Sequence, residues 1–173
     1  MQRLNSGSDI TARHGDHMTA TLLKRIVLAL AIVFAGMQLF RPDRTNPPVD
    51  AARTVQAAAT VPPEVDAVLR RACFDCHSSE TRWPWYSGVA PMAWGVADHV
   101  SEGRAEMNFS EWGKYPARKR IAILGKICDE VREGKMPLKQ YLWLHRDATL
   151  SEGDWKAVCD WSADEAGRLS AGQ

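Results

Sequence analysis

The chain has no run of alternating apolar and polar residues long enough for a β-strand, and it carries no internal repeat. Helices joined by loops are therefore expected in place of a sheet. It also lacks an excess of either charge: the formal net charge is +1, with 25% of residues charged. Nothing in that balance points to nucleic acid or to a strongly anionic surface as a partner. Only four cysteines occur in 173 residues, and two of them stand alone. No second C-x-x-C or H-x-H cluster is present to complete a four-ligand zinc site. Tryptophan breaks this pattern of scarcity. There are seven, five of them between Trp83 and Trp143, so either an aromatic core or walls for a bulky, flat ligand is expected.

What is present divides the chain into five stretches. Residues 1–21 are polar and patternless at their start, and are expected to be a disordered tail or a mis-called start upstream of Met18. Residues 22–40 follow as a signal anchor or transmembrane helix. Its apolar stretch IVLALAIVFAGMQLF is preceded by Lys24 and Arg25 and followed by Arg41. The residues after it offer no small-residue cleavage site, so an uncleaved anchor is favoured over a cleaved signal peptide. Residues 41–63, with five prolines and little apolar pattern, are expected to be a linker holding the domain off the membrane. The domain itself is placed at residues 64–166, with a tail at 167–173.

Helical signals dominate that domain. Val65, Val68, Leu69, Ala72 and Cys73 share one face of a helix that Pro63 opens. Pro91 opens a second, with Trp94, Ala97 and Val100 on one side and an end near Gly103. Pro116 opens a third, with Ile121, Leu124, Cys128 and Val131 on its apolar face and Gly134 as C-cap. The last begins at Ser151, with Asp154 completing a capping box and Leu150 and Trp155 a hydrophobic staple. Between them, Ser78 to Ala90 is a long irregular loop. Something other than helix packing is expected to organise it.

The stretch ACFDCH, Ala72 to His77, is the chemical centre. At this composition a chance C-x-x-C-H arises on the order of 0.003 times. Two thiols one helical turn apart face the same way, so Cys73 and Cys76 can both add to the vinyl groups of one porphyrin. The adjacent His77 then offers its imidazole to the iron as proximal ligand. A redox dithiol would want the pair at the start of a helix after a strand, and a plain disulfide would leave His77 unexplained. One covalently attached haem c is the expected cofactor.

Several further stretches carry a resemblance. CFDCHSSETRWPWYS, then APMAW, DHVSEGR, NFSEW and GKMPL, are similar in order and spacing to the bacterial haem-binding domain family, from about Pro42 to Trp161. The resemblance implies a small, membrane-anchored, mainly α, cytochrome c-like protein. Long loops would surround one haem, behind an N-terminal transmembrane helix, with a helix leading into the attachment motif and another closing the domain.

For the sixth iron ligand, Met136 is the leading candidate. Gly134-Lys135-Met136-Pro137 follows a helix, an order that resembles the distal-ligand loop of small cytochromes c, and the proline stiffens the loop. His99 and His145 are alternatives; Met92 and Met107 are weaker. Arg82, Arg104 and Lys139 are candidate partners for haem propionates. Trp83, Trp85, Tyr86, Trp94, Trp112 and Trp143 are candidate pocket walls. Cys128 and Cys159 are expected to be two buried free thiols, with a disulfide between them as the alternative.

The function expected from these residues is one-electron transfer by a single-pass protein of the bacterial inner membrane, its C-terminal domain in the periplasm. Its partners would be haem, membrane lipid through the N-terminal helix, and redox proteins of the respiratory chain. A peroxidase-like haem enzyme, or a haem-based sensor or assembly subunit with a displaceable sixth ligand, are the alternatives.

Overall fold

A computed structural model describes residues 8–172, and among these the protein is helical, with no strand. Eight α-helices follow in order: α1 Ser8–Met37, α2 Val55–Ala58, α3 Pro63–Ala72, α4 Phe74–His77, α5 Met92–Glu106, α6 Ala117–Arg132, α7 Lys139–Leu142 and α8 Glu152–Ala171. Helix α1 starts well before residue 22, so residues 8–21 are helical where a disordered tail is expected from sequence; residues 1–7 lie outside the described part. Its stretch Thr19–Met37 is long and apolar enough to cross a membrane, and none of it is buried. At the other end, α8 takes in the expected tail as far as Ala171.

Local chemistry sets the helix ends. Pro63 occupies the first turn of α3, where its missing N–H costs nothing. Gly134 ends α6 at φ 65°; its N–H bonds to Val131 O and that of Lys135 to Glu130 O, the double bond of a Schellman turn. Ser151 and Asp154 cap α8 reciprocally. Gly103 does not end α5, which continues to Glu106.

The core lies where α3, α6 and α8 meet. Leu69, Leu124, Val131, Val158 and Trp161 are buried there, and Phe74, Phe109 and Trp112 stack beside them at 5.3 and 5.8 Å. Burying each such side chain contributes roughly 1.5–3 kcal/mol. The α6–α8 contact also joins Cys128 to Cys159, with Cα atoms 4.7 Å apart. Two free thiols are therefore not what the fold contains: the packing of α6 on α8 brings these cysteines within disulfide range.

The Pro-rich segment departs most from its expected part as a spacer. It lies along the domain instead. Val55 is fully buried, Asn46 donates to Thr81 O at 2.9 Å, and Arg44 reaches Ser87 Oγ at 3.3 Å. Trp161 donates to Thr60 O at 3.0 Å. Short turns within residues 50–59 satisfy part of its backbone, and polar groups on either side of them turn to the domain.

Candidate functional site

The C-x-x-C-H motif sits on a corner. Helix α3 ends at Ala72, Cys73 leaves helical geometry, and Phe74–His77 forms one further turn, closed by His77 N–H on Cys73 O at 2.9 Å. Helix α5 crosses directly over it at Gly103. A Cβ on Gly103 would stand 2.6 Å from the Cys76 carbonyl oxygen, so only glycine permits this approach. The His77 Nδ1 lies 2.8 Å from Gly103 O. A carbonyl only accepts, so Nδ1 carries the proton and Nε2 keeps its lone pair. Burial also holds the imidazole below its ordinary pKa, against the raising effect of the bond to Gly103. A neutral, oriented imidazole is what metal ligation asks for.

The two motif thiols are free, and burial pushes Cys73 up to about 12 and Cys76 up to about 11. Redox dithiols work with depressed thiol pKa values, so this pair is poorly suited to disulfide exchange.

Both cysteines and His77 line a cavity of about 660 Å³, inside the roughly 300–1,000 Å³ usual for cofactor sites. Met136, His99 and His145 line it too, as do Met92, Tyr86 and Trp143. His145 is tied down: its ring stacks on Tyr141 at 4.0 Å, and its Nδ1 lies 3.1 Å from Tyr141 O. His99 Nε2 lies 3.4 Å from the Gln140 amide. Met136, delivered by the Schellman turn, also packs on the hydrophobic core.

The other tryptophans are not cavity walls. Trp83 donates to Asn46 Oδ1 at 3.2 Å and Trp94 to Phe40 O at 2.7 Å, so both clamp the segment leading from α1. Trp112 is in the core, and Trp85 projects outward. An indole N–H seeks an acceptor, and the neighbouring segment supplies acceptors where an apolar wall would not. Among the expected propionate partners, Arg104 is engaged with Ser78 O, Asn46 Oδ1 and Thr81 Oγ1. Arg82 lines the cavity while paired with Asp75 at 3.2 Å. Lys139, at the start of α7, is exposed and does not line the cavity.

Asp75, inside the motif, was not singled out from sequence. Its buried carboxylate accepts from the Arg82 backbone and guanidinium and from Tyr141 Oη at 2.8 Å. Burial, and then this bond, push the Tyr141 hydroxyl well above its usual range, so it remains a donor. The motif is thereby joined to the long loop and to α7, which organises the loop through a carboxylate. Gly103, a glycine inside a helical pattern, was the one available sign of the close crossing.

The haem-binding domain family matches residues 32–164. The chain belongs to that family. No curated protein and no solved structure matches it. As a haem-binding domain it takes haem as its cofactor, and the cavity fits that group: its walls are mostly apolar, it holds a neutral imidazole, and two thiols stand beside that imidazole.

Proposed function

We propose that this haem-binding domain is a membrane-tethered, mono-haem c-type electron carrier. Cys73 and Cys76 would hold the porphyrin through thioethers, and His77 and Met136 would be the residues that hold its iron. The observation that carries this reading is the shared cavity wall of two free thiols and an imidazole whose Nδ1 is committed to Gly103. When bound, haem supplies the one-electron Fe(III)/Fe(II) couple, and a thioether ligand raises its potential relative to a second imidazole.

The chain's own residues hold, orient and shield. Gly103 O fixes the His77 ring and its proton. The Schellman turn and Pro137 fix the approach of Met136. The apolar cavity limits water, and the Asp75–Tyr141–Arg82 network keeps its loops in place. Tethering by α1 would confine the domain to the surface of one membrane, raising its effective concentration beside membrane partners. A disulfide is stable in an oxidising compartment, so Cys128–Cys159 supports a periplasmic location for the domain.

The test is the mass and pyridine haemochrome spectrum of protein made in cells with a working cytochrome c maturation system. A c-type spectrum and the added mass of one haem are expected. A processed polypeptide without that mass overturns the proposal. His99 and His145 border the same cavity as Met136, which favours a ligand-switching sensor as second reading. A high-spin oxidised spectrum in untreated protein would select it.

A further inference from the structure

The end of α1 does not hang free of the domain. Gln38 bonds to Ala90 twice, accepting from its N–H at 3.0 Å and donating to its carbonyl at 3.3 Å. Trp94 holds the Phe40 carbonyl, and Arg44 reaches Ser87. The span therefore ends against the residues that open α5, where Pro91 and Met92 border the cavity. No slack remains between the end of α1 and this edge of the domain.

The same edge collects the exposed apolar side chains. Outside α1, the large hydrophobic residues exposed among the described residues are Leu39, Phe40, Trp85, Val89, Met92, Trp143 and Leu144, with Val49 apart from them. Trp85 is 82% exposed, Trp143 77% and Phe40 73%. Tyr86, next to Trp85, and His145, two residues beyond Trp143, meet with rings 6.0 Å apart, so the two tryptophans flank one part of the rim. Leu39, Phe40, Trp85 and Val89 do not line the cavity, so a group bound inside would not cover them. A soluble surface rarely gathers large apolar side chains in this way. Indole rings standing beside the end of an apolar span are the usual furniture of a membrane–water interface.

We propose that the rim of the cavity, through Trp85, Trp143, Leu39 and Phe40, rests in the headgroup layer of the membrane that α1 crosses. The domain would then lie on the lipid surface with its cavity mouth toward it. This inference rests on reading α1 as a membrane span.

The test uses the full-length, haem-loaded protein in vesicles of phosphatidylethanolamine and phosphatidylglycerol that contain a phospholipid with a photoreactive diazirine just below its headgroup. After irradiation, lipid adducts are mapped by peptide mass. Adducts are expected on α1 and on the peptides carrying Trp85 and Trp143, and not on α6 or α8. Replacing Trp85→Glu and Phe40→Glu together, neither of which lines the cavity, is expected to lower the rim adducts several-fold while those on α1 persist and the haem spectrum is unchanged. Adducts on α1 with none at the rim overturn the docking and leave the anchor standing. Adducts spread equally over α6 and α8 also overturn it. Absence of adducts on α1 overturns the anchor and the docking together.

Discussion

The His77 Nδ1 stands 2.8 Å from the carbonyl oxygen of Gly103, in the last turn of a helix that begins fifteen residues after the motif ends. That one bond sets the tautomer and the ring plane of the proposed proximal ligand. It exists because position 103 has no side chain. Gly103→Ala would drive a methyl group into Cys76 O and Cys76 Cβ, at 2.6 and 3.1 Å. Overpacking of this kind costs about 1–3 kcal/mol. We expect a lower Tm by circular dichroism and a smaller fraction of chains carrying covalent haem.

Met136→Ala is expected to abolish the near-infrared sulfur-to-iron band of the oxidised protein, whereas His99→Ala and His145→Ala leave it in place. Retention of the band in Met136→Ala would remove this residue from the iron.

The Cys128–Cys159 bridge closes a loop of sequence separation 31. Loop-closure entropy for that length corresponds to about 3.5 kcal/mol. Replacing both cysteines with serine should move the urea midpoint down accordingly, while the haem spectrum stays the same, because the bridge joins α6 to α8 and lines no part of the cavity.

Asp75→Ala takes away the acceptor of Tyr141 Oη and of three Arg82 donors. The Arg82 head is largely solvated and recovers water, so the cost falls mainly on Tyr141, at about 1–3 kcal/mol. Faster proteolysis within 78–90 and 137–145, read by mass spectrometry, is the expected sign that both segments have loosened.

In the haem-free fold, Cys73 and Cys76 titrate near 12 and 11 rather than at the ordinary thiol value. The raised values mean that protonated thiols stabilise the folded state below about pH 9, and that this contribution disappears as pH rises toward 11–12. Alkylation by iodoacetamide at pH 8 should therefore be slower in the folded haem-free protein than in urea. Equal rates would show that the thiols are not buried.

The parts legible in the sequence are those set by neighbours along the chain. Pro63 and Pro116, Gly134, and the Ser151–Asp154 pair mark helix ends through bonds spanning a few residues, and the structure has those ends within a residue or two. The C-x-x-C-H spacing is equally local, since one turn of helix brings its three functional groups to one side. The tryptophans were harder to read. Composition says that large flat side chains are plentiful, but which N–H finds an acceptor, as those of Trp83, Trp94 and Trp161 do, depends on which segment folds over it.

The sequence by itself determined a helical class, a C-x-x-C-H motif and an apolar N-terminal helix, because each of these is written in spacings shorter than a few turns. Only the tertiary structure decided that the Pro-rich segment straps the domain, that Cys128 meets Cys159, that Gly103 admits α5 onto the motif, and that Trp85 and Trp143 stand outward. Those outcomes join residues tens of positions apart, and they depend on how α3, α5, α6 and α8 pack, which no local pattern encodes.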